Sequence, residues 1–337
     1  MDYPLPRDFR VDFDDLRVVT RGLKRPECVL ALSNGDLIVA NGNGGYTVVS
    51  ATGGTQDVII SDQRLRKFLP NGIALSISGD VLFADLGSEL GGIFSVNALG
   101  VAQPLIESLN GEPLPPSNYL VNDRAGRLWF TISTRQRPRT VAWTHQVADG
   151  YIAVADETGV RVVADGLGYT NEIAFSPDGK WLYVNETYNQ RTSRFPLHDD
   201  ATVGPKEVLA TYDNADFPDG LTFDAFGGAW VTCIGSNTLY VIRPDGQIQT
   251  VLQDRDDDYA RELQEKFILG SLTQHDMSSA GNSRLGNISS LAFGGPSLKT
   301  AYLGCLLDDC VRAFESPVPG LTPVHWNRTL KRQHSVS

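Results

Sequence analysis

The chain has 337 residues, 40 acidic against 29 basic, and a formal net charge of −11. An acidic balance of that size repels nucleic acid and anionic membrane, so neither is expected as a partner. Hydrophobic residues at 41%, aromatics at 9% and 33 glycines exclude a disordered or fibrous chain and fit a globular β-rich domain.

Residues 1–13 are polar and proline-bearing and read as an N-terminal arm. Leu16-Arg-Val-Val-Thr20 reads as a strand, placed where it can complete the last unit of a ring. From Glu27 a unit begins: a polar leader, a short apolar strand, a tight turn and a second strand. The unit recurs from Asn71, Asn118, Asn171 and Asp219, and with about one residue inserted from Ser289. The turn glycine stands eight residues after its leader in the first five copies, at Gly35, Gly79, Gly126, Gly179 and Gly227.

Between these units lie the segments that break the pattern. Asn41-Gly-Asn-Gly-Gly45 lacks the lysine and following helix of a phosphate cradle, so it reads as a hairpin turn. Thr134 to Arg139 carries three arginines; Arg135 or Arg137 is a candidate to line a pocket mouth and meet an anionic group. Glu186, at a strand end, is a candidate support for a site. Residues 253–286 form an insertion. Apolar residues at 259, 260, 263, 267 and 268 predict a short amphipathic helix capped by the acidic run Asp256–Asp258. The insertion is a candidate lid, with His275 the first histidine to consider. Residues 327–337 read as a frayed basic tail.

The leaders are 44, 47, 53, 48 and 70 residues apart. A repeat of about 40 to 50 residues built only of strands is the mark of a β-propeller. The expectation is therefore an all-β, six-bladed β-propeller over 1–337, a single domain with a short helical insertion between blades five and six. Equivalent positions then fall on one ring, and Glu27, Asn71, Asn118, Asn171, Asp219 and Ser289 converge on one end of the channel. Two carboxylates and three amides are hard oxygen donors suited to one divalent cation. Calcium comes first, with magnesium, manganese, zinc or iron as alternatives.

None of the four cysteines forms a Cys-x-x-Cys pair. Cys28 and Cys233 read as buried small hydrophobes, and Cys305 and Cys310 as free before bridged. The N-terminus has no apolar signal core, and no run approaches about 18 apolar residues. A cytoplasmic protein, monomer or small homo-oligomer, is expected.

Arg25-Pro-Glu-Cys28, Leu69-Pro-Asn-Gly72, Ser117-Asn118, Thr170-Asn171 with Ser176-Pro-Asp-Gly179, and Phe217-Pro-Asp-Gly220 stand in register. On these marks the chain resembles the SMP-30/gluconolactonase/LRE-like family of six-bladed propellers over roughly residues 20–326. The resemblance implies Glu27, Asn171 and Asp219 as metal ligands and Asp219 as general base. It also implies Asn118 as a substrate contact or a further coordinating residue, with Asn71 beside it. Pro116 stands where sugar-lactonase relatives often carry an arginine, and Tyr119 where they carry an acidic residue. Both departures imply a pocket less suited to a polyhydroxylated lactone.

The chemistry implied is metal-assisted opening of a small-molecule lactone, with Asp219 or a metal-bound water as base or nucleophile. No serine nucleophile elbow, His-Glu-x-x-His or cysteine–histidine signature is present. Two alternatives stand beside it: a phosphotriesterase on the same metal site, and a non-enzymatic calcium-binding propeller.

Overall fold

A computed structural model describes residues 3–61, 67–87 and 89–332. Among them, six four-stranded antiparallel sheets follow one another around a ring, as the repeat predicts. The inner strands are largely buried between neighbouring blades; those of blades three and four are only half-buried toward their ends. Blade one runs from Val29–Ala31, fully buried, to Thr55–Ile59, exposed except at Val58. The other inner strands are Pro70–Leu75, Ser117–Asn122, Thr170–Phe175, Asp216–Phe223 and Ile288–Gly294. The five turn glycines share a left-handed φ of 71–93°, the conformation in which glycine meets no steric cost.

Blade six takes its outer strand from the other end of the chain. Arg17–Thr20 pairs with Val311–Glu315, Arg17 opposite Ala313, and so closes the ring. The preceding arm is docked rather than loose. Leu5 and Val11 are buried, Val11 N–H donates to Val251 O (2.8 Å), and Arg243 donates to Leu5 O (3.0 Å).

The tail is held as far as it is described. Leu330 is buried, Arg328 donates to Asn122 Oδ1 (3.0 Å), and Lys331 pairs with Asp80 (3.0 Å). Fraying is thus not found through Arg332, because these cations meet carboxylates and carbonyls on blades two and three; residues 333–337 lie outside the described residues. All four cysteines are free and buried.

The insertion holds α1 (Asp257–Ile268) and a one-turn α2 (Gln274–Met277). Asp256 caps α1 by accepting from the N–H groups of Asp258 and Tyr259. Ala260, Leu263 and Phe267 form its buried face, three of the five apolar positions; Tyr259 is half-buried and Ile268 is exposed. Phe267 meets Phe217 edge-on at 5.3 Å and Tyr188 at 6.1 Å. No helix is long and apolar enough to cross a membrane among the described residues.

Candidate metal centre and active site

The leaders sit where the inner strands lose register with their neighbours. In blade two the pairing skips from Pro70 to Ile73, in blade four from Thr170 to Ile173, and in blade five from Pro218 to Leu221. Such irregularities re-aim side chains that a regular ladder would hold on the sheet faces. Asn71, Asn171 and Asp219 lie in these gaps, Asn118 and Ser289 in the corresponding gaps of blades three and six. Glu27 precedes its ladder, which begins at Val29. The close packing at the axis explains the glycine after two of the leaders. A Cβ on Gly220 would stand 2.5 Å from Ser289 O, and one on Gly72 2.7 Å from Tyr119 Cα.

Five of the six leaders line one cavity of about 390 Å³: Glu27, Asn71, Asn118, Asn171 and Asp219. The sixth, Ser289, is buried and donates to Glu27 O (2.8 Å), so it holds the backbone of a leader rather than facing the cavity. Asn171 is oriented by a relay. Its Nδ2 donates to Thr187 Oγ1 (3.0 Å), whose hydroxyl donates to Pro218 O (2.8 Å). This leaves Asn171 Oδ1 buried without a partner, and Glu27 Oε2 is in the same condition. Buried oxygens left unpaired are costly, and these two belong to residues lining the same cavity as Asp219. The donor set fits a hard divalent cation.

Asn71 and Asn118 are engaged differently. Asn71 Oδ1 accepts from Arg25 (2.7 Å), and its Nδ2 donates to Asn118 O (3.0 Å) and Oδ1 (3.3 Å). Asn118 Nδ2 donates to Ser133 Oγ (3.0 Å).

Burial controls the electrostatics. It pushes the Glu27 carboxyl up to about 7, with Arg25 opposing. Asp219 is held well above the usual carboxylate range, first by burial and then by repulsion from Glu27. Two carboxylates that disfavour each other's charge are what a divalent cation would reverse.

Five sequence candidates lie elsewhere. Arg135 is exposed, pairs with Asp165 through two 2.8 Å bonds and stacks over Tyr151 at 4.5 Å. Arg137 is also exposed and donates to Pro113 O (3.1 Å). His275 is exposed on α2, and its neighbours Gln274 and Met277 reach the cavity instead, so the insertion does cover this end. Tyr119 lines a second chamber of about 320 Å³, where the regular ladder resumes after the register break that aims Asn118 at the first. The expected apolar effect of Tyr119 on the pocket wall is therefore corrected. Glu186 binds Arg191 (2.6 Å) and Ser193 (2.6 Å), outside the cavity lining.

Sequence reading missed Arg25, Arg139, Thr187 and the aromatic wall of Trp143, Tyr169 and Tyr188, all of which line the cavity. Arg25 stood two residues before Glu27, and Arg139 was the third arginine of the flagged loop; only the path of that loop separates it from Arg135 and Arg137. Arg139 donates to Tyr169 OH (2.6 Å) and lies 5.7 Å from the Trp143 ring. Glu172 was missed as well. It lines the second chamber, accepts from Leu221 N–H (2.8 Å) through Oε2 and leaves Oε1 unpartnered.

Known proteins share this architecture. A putative gluconolactonase of known structure superposes with a TM-score of 0.66 at 19% identity, covering 91% of this chain and 93% of that one. Regucalcin from Agrobacterium tumefaciens, described as a calcium-binding protein, superposes with a TM-score of 0.67 at 17% identity, over 96% and 99%. At these identities the likeness concerns the fold alone. In sequence, the chain is 28% identical to 6-deoxy-6-sulfogluconolactonase of Pseudomonas putida over 165 residues, 48% of this chain and 54% of that protein. The match thus spans about half the length of that relative. Lactonase drp35 of Staphylococcus aureus is 27% identical over 243 residues, 68% of this chain and 72% of that one. Residues 9–253 match the SMP-30/Gluconolactonase/LRE-like region, and the chain belongs to that family.

Proposed function

We propose that the protein is a divalent-metal-dependent lactonase that hydrolyses a small-molecule cyclic ester. The observation that carries this reading is the pair of buried, unpartnered oxygens on Glu27 and Asn171, in a cavity they share with Asp219. These three residues would hold the ion, calcium first because all the donors are hard oxygens. A bound divalent cation supplies Lewis acidity toward the lactone carbonyl and stabilises the oxyanion that develops there.

The chain's own residues supply the remainder. Asp219 takes a proton from the water that attacks the acyl carbon, acting as general base. Beside a bound cation Asp219 would stay ionised, and so able to take that proton, against the burial that raises its pKa in the metal-free protein. The acyl C–O bond of the ring breaks, the proton passes to the departing ring oxygen, and an open-chain hydroxy acid is released. Asn118, fixed by Ser133 and Asn71, orients the substrate. Trp143, Tyr188 and the residues of α2 cover the cavity and limit bulk water. The lactonase names carried by two sequence relatives support the same reaction class.

The test is acid release from a panel of γ- and δ-lactones, with and without added calcium and after chelation. Calcium-dependent turnover of at least one lactone is expected. Metal binding with no hydrolysis of lactones or of phosphotriesters would leave a binding propeller and defeat the proposal.

A further inference from the structure

We propose that the cavity contains a subsite for an acid group, so that the preferred substrate is a lactone bearing a carboxylate or sulfonate, received by Arg139 with Arg25 beside it. This rests on the lactonase reading of the same site. Both arginines line the cavity that holds Glu27 and Asp219. Neither forms an ion pair with a carboxylate among the described residues, and their recorded partners are neutral. Arg25 donates to Asn71 Oδ1 (2.7 Å) and Pro70 O (3.3 Å), Arg139 to the Tyr169 hydroxyl (2.6 Å). A guanidinium carries five N–H donors, so most of those on Arg139 are left to meet a ligand. Trp143 adds a buried Nε1–H without a partner.

The charge balance points the same way. Two carboxylates and two guanidiniums cancel in the cavity, and a divalent cation then leaves two positive charges in excess. A neutral lactone does not compensate them. An acid group and the developing oxyanion together do, at a site where burial strengthens each interaction. Acceptors for sugar hydroxyls are partly used: Asn71 Oδ1 already accepts from Arg25 and Asn118 Oδ1 from Asn71, which leaves one lone pair on each. A hydroxyl desolvated there without an acceptor loses binding energy. Arg139, with its planar fork, suits the paired oxygens of a carboxylate or sulfonate.

The test compares lactones that share one ring. 5-Oxotetrahydrofuran-2-carboxylate, the matching sulfonate and the neutral carboxamide are assayed with the wild type, Arg139→Gln and Arg139→Lys. The wild type is expected to prefer an acid over the amide by about tenfold or more in kcat/KM, the size of a charge-assisted contact. Arg139→Gln should reduce that ratio about tenfold, and Arg139→Lys should restore part of it. The stronger of the two acids names the group received. A second readout needs no turnover: calorimetric binding of 2-hydroxyglutarate, expected to weaken about tenfold in Arg139→Gln. A wild-type ratio of one or less overturns the proposal, as does an equal ratio in wild type and Arg139→Gln. Arg139-dependent binding of 2-hydroxyglutarate without hydrolysis of any lactone would retain the acid subsite and reject the lactonase reading.

Discussion

Thr187 decides which way Asn171 faces. By accepting from Nδ2 and donating to Pro218 O, it turns the amide oxygen to the cavity. Thr187→Val keeps the shape and removes the hydroxyl. Calcium affinity should fall about tenfold, as for other residues that orient a ligand, and calorimetric titration measures it. Glu27 makes a prediction of opposite character. Its carboxyl, raised by burial from 4.5 to about 7, keeps its proton in the folded metal-free protein while the unfolded chain releases it. Stability is therefore full below about pH 4.5 and is lost as pH rises through about 7. Asp219 and Glu172, both raised by burial, act in the same direction. Melting of chelator-treated protein from pH 5 to 8 should show this decline, and Glu27→Gln should make it shallower. An equally steep decline in the variant contradicts the account. At this scale the leaders were legible because the repeat fixes their phase. Thr187 was not, because its role depends on the Pro218 carbonyl of the next blade.

The elements bring the leaders together through breaks in strand register, and those breaks depend on close backbone approach. Gly220→Ala would drive a Cβ into Ser289 O and Thr232 Oγ1, at 2.5 and 2.6 Å. We expect a loss of about 1–3 kcal/mol by overpacking, read from denaturant unfolding, together with weaker calcium binding as Asp219 is displaced. Unchanged stability and affinity would show that the inner strands of blades five and six have room to part. The strands, turns and α1 could be read from periodicity and turn residues. The loop from Thr134 to Arg139 could not. Arg135 is drawn off by Asp165, 30 residues further on, whereas Arg139 begins a short helix (Arg139–Ala142) and reaches Tyr169. Which arginine enters the cavity is set by partners in the outer strand of blade three and at the entry to blade four, a long-range matter that local sequence does not encode. Tyr119 could not be placed either, because the register break at Asn118 decides which chamber it enters.

The whole molecule is a ring closed by its own first strand, and the site sits where the blades meet. Removing residues 1–20 would delete the outer strand of blade six and the docked arm. Cooperative unfolding should shift to lower temperature by more than about 5 °C, since far more than 1 kcal/mol of packing is lost, and calcium should no longer protect fully. An unchanged melting temperature would mean that closure contributes nothing to the ring. One cation at the axis would tie the blades' leaders together. The most direct test is calorimetric titration of calcium into the chelator-stripped full chain, for the wild type, Glu27→Gln and Asp219→Asn. The account predicts one ion per chain in the wild type and affinity at least about 100-fold weaker in each variant, beyond the loss expected for a merely supporting residue. No binding to the wild type, or equal binding by wild type and Asp219→Asn, would contradict it.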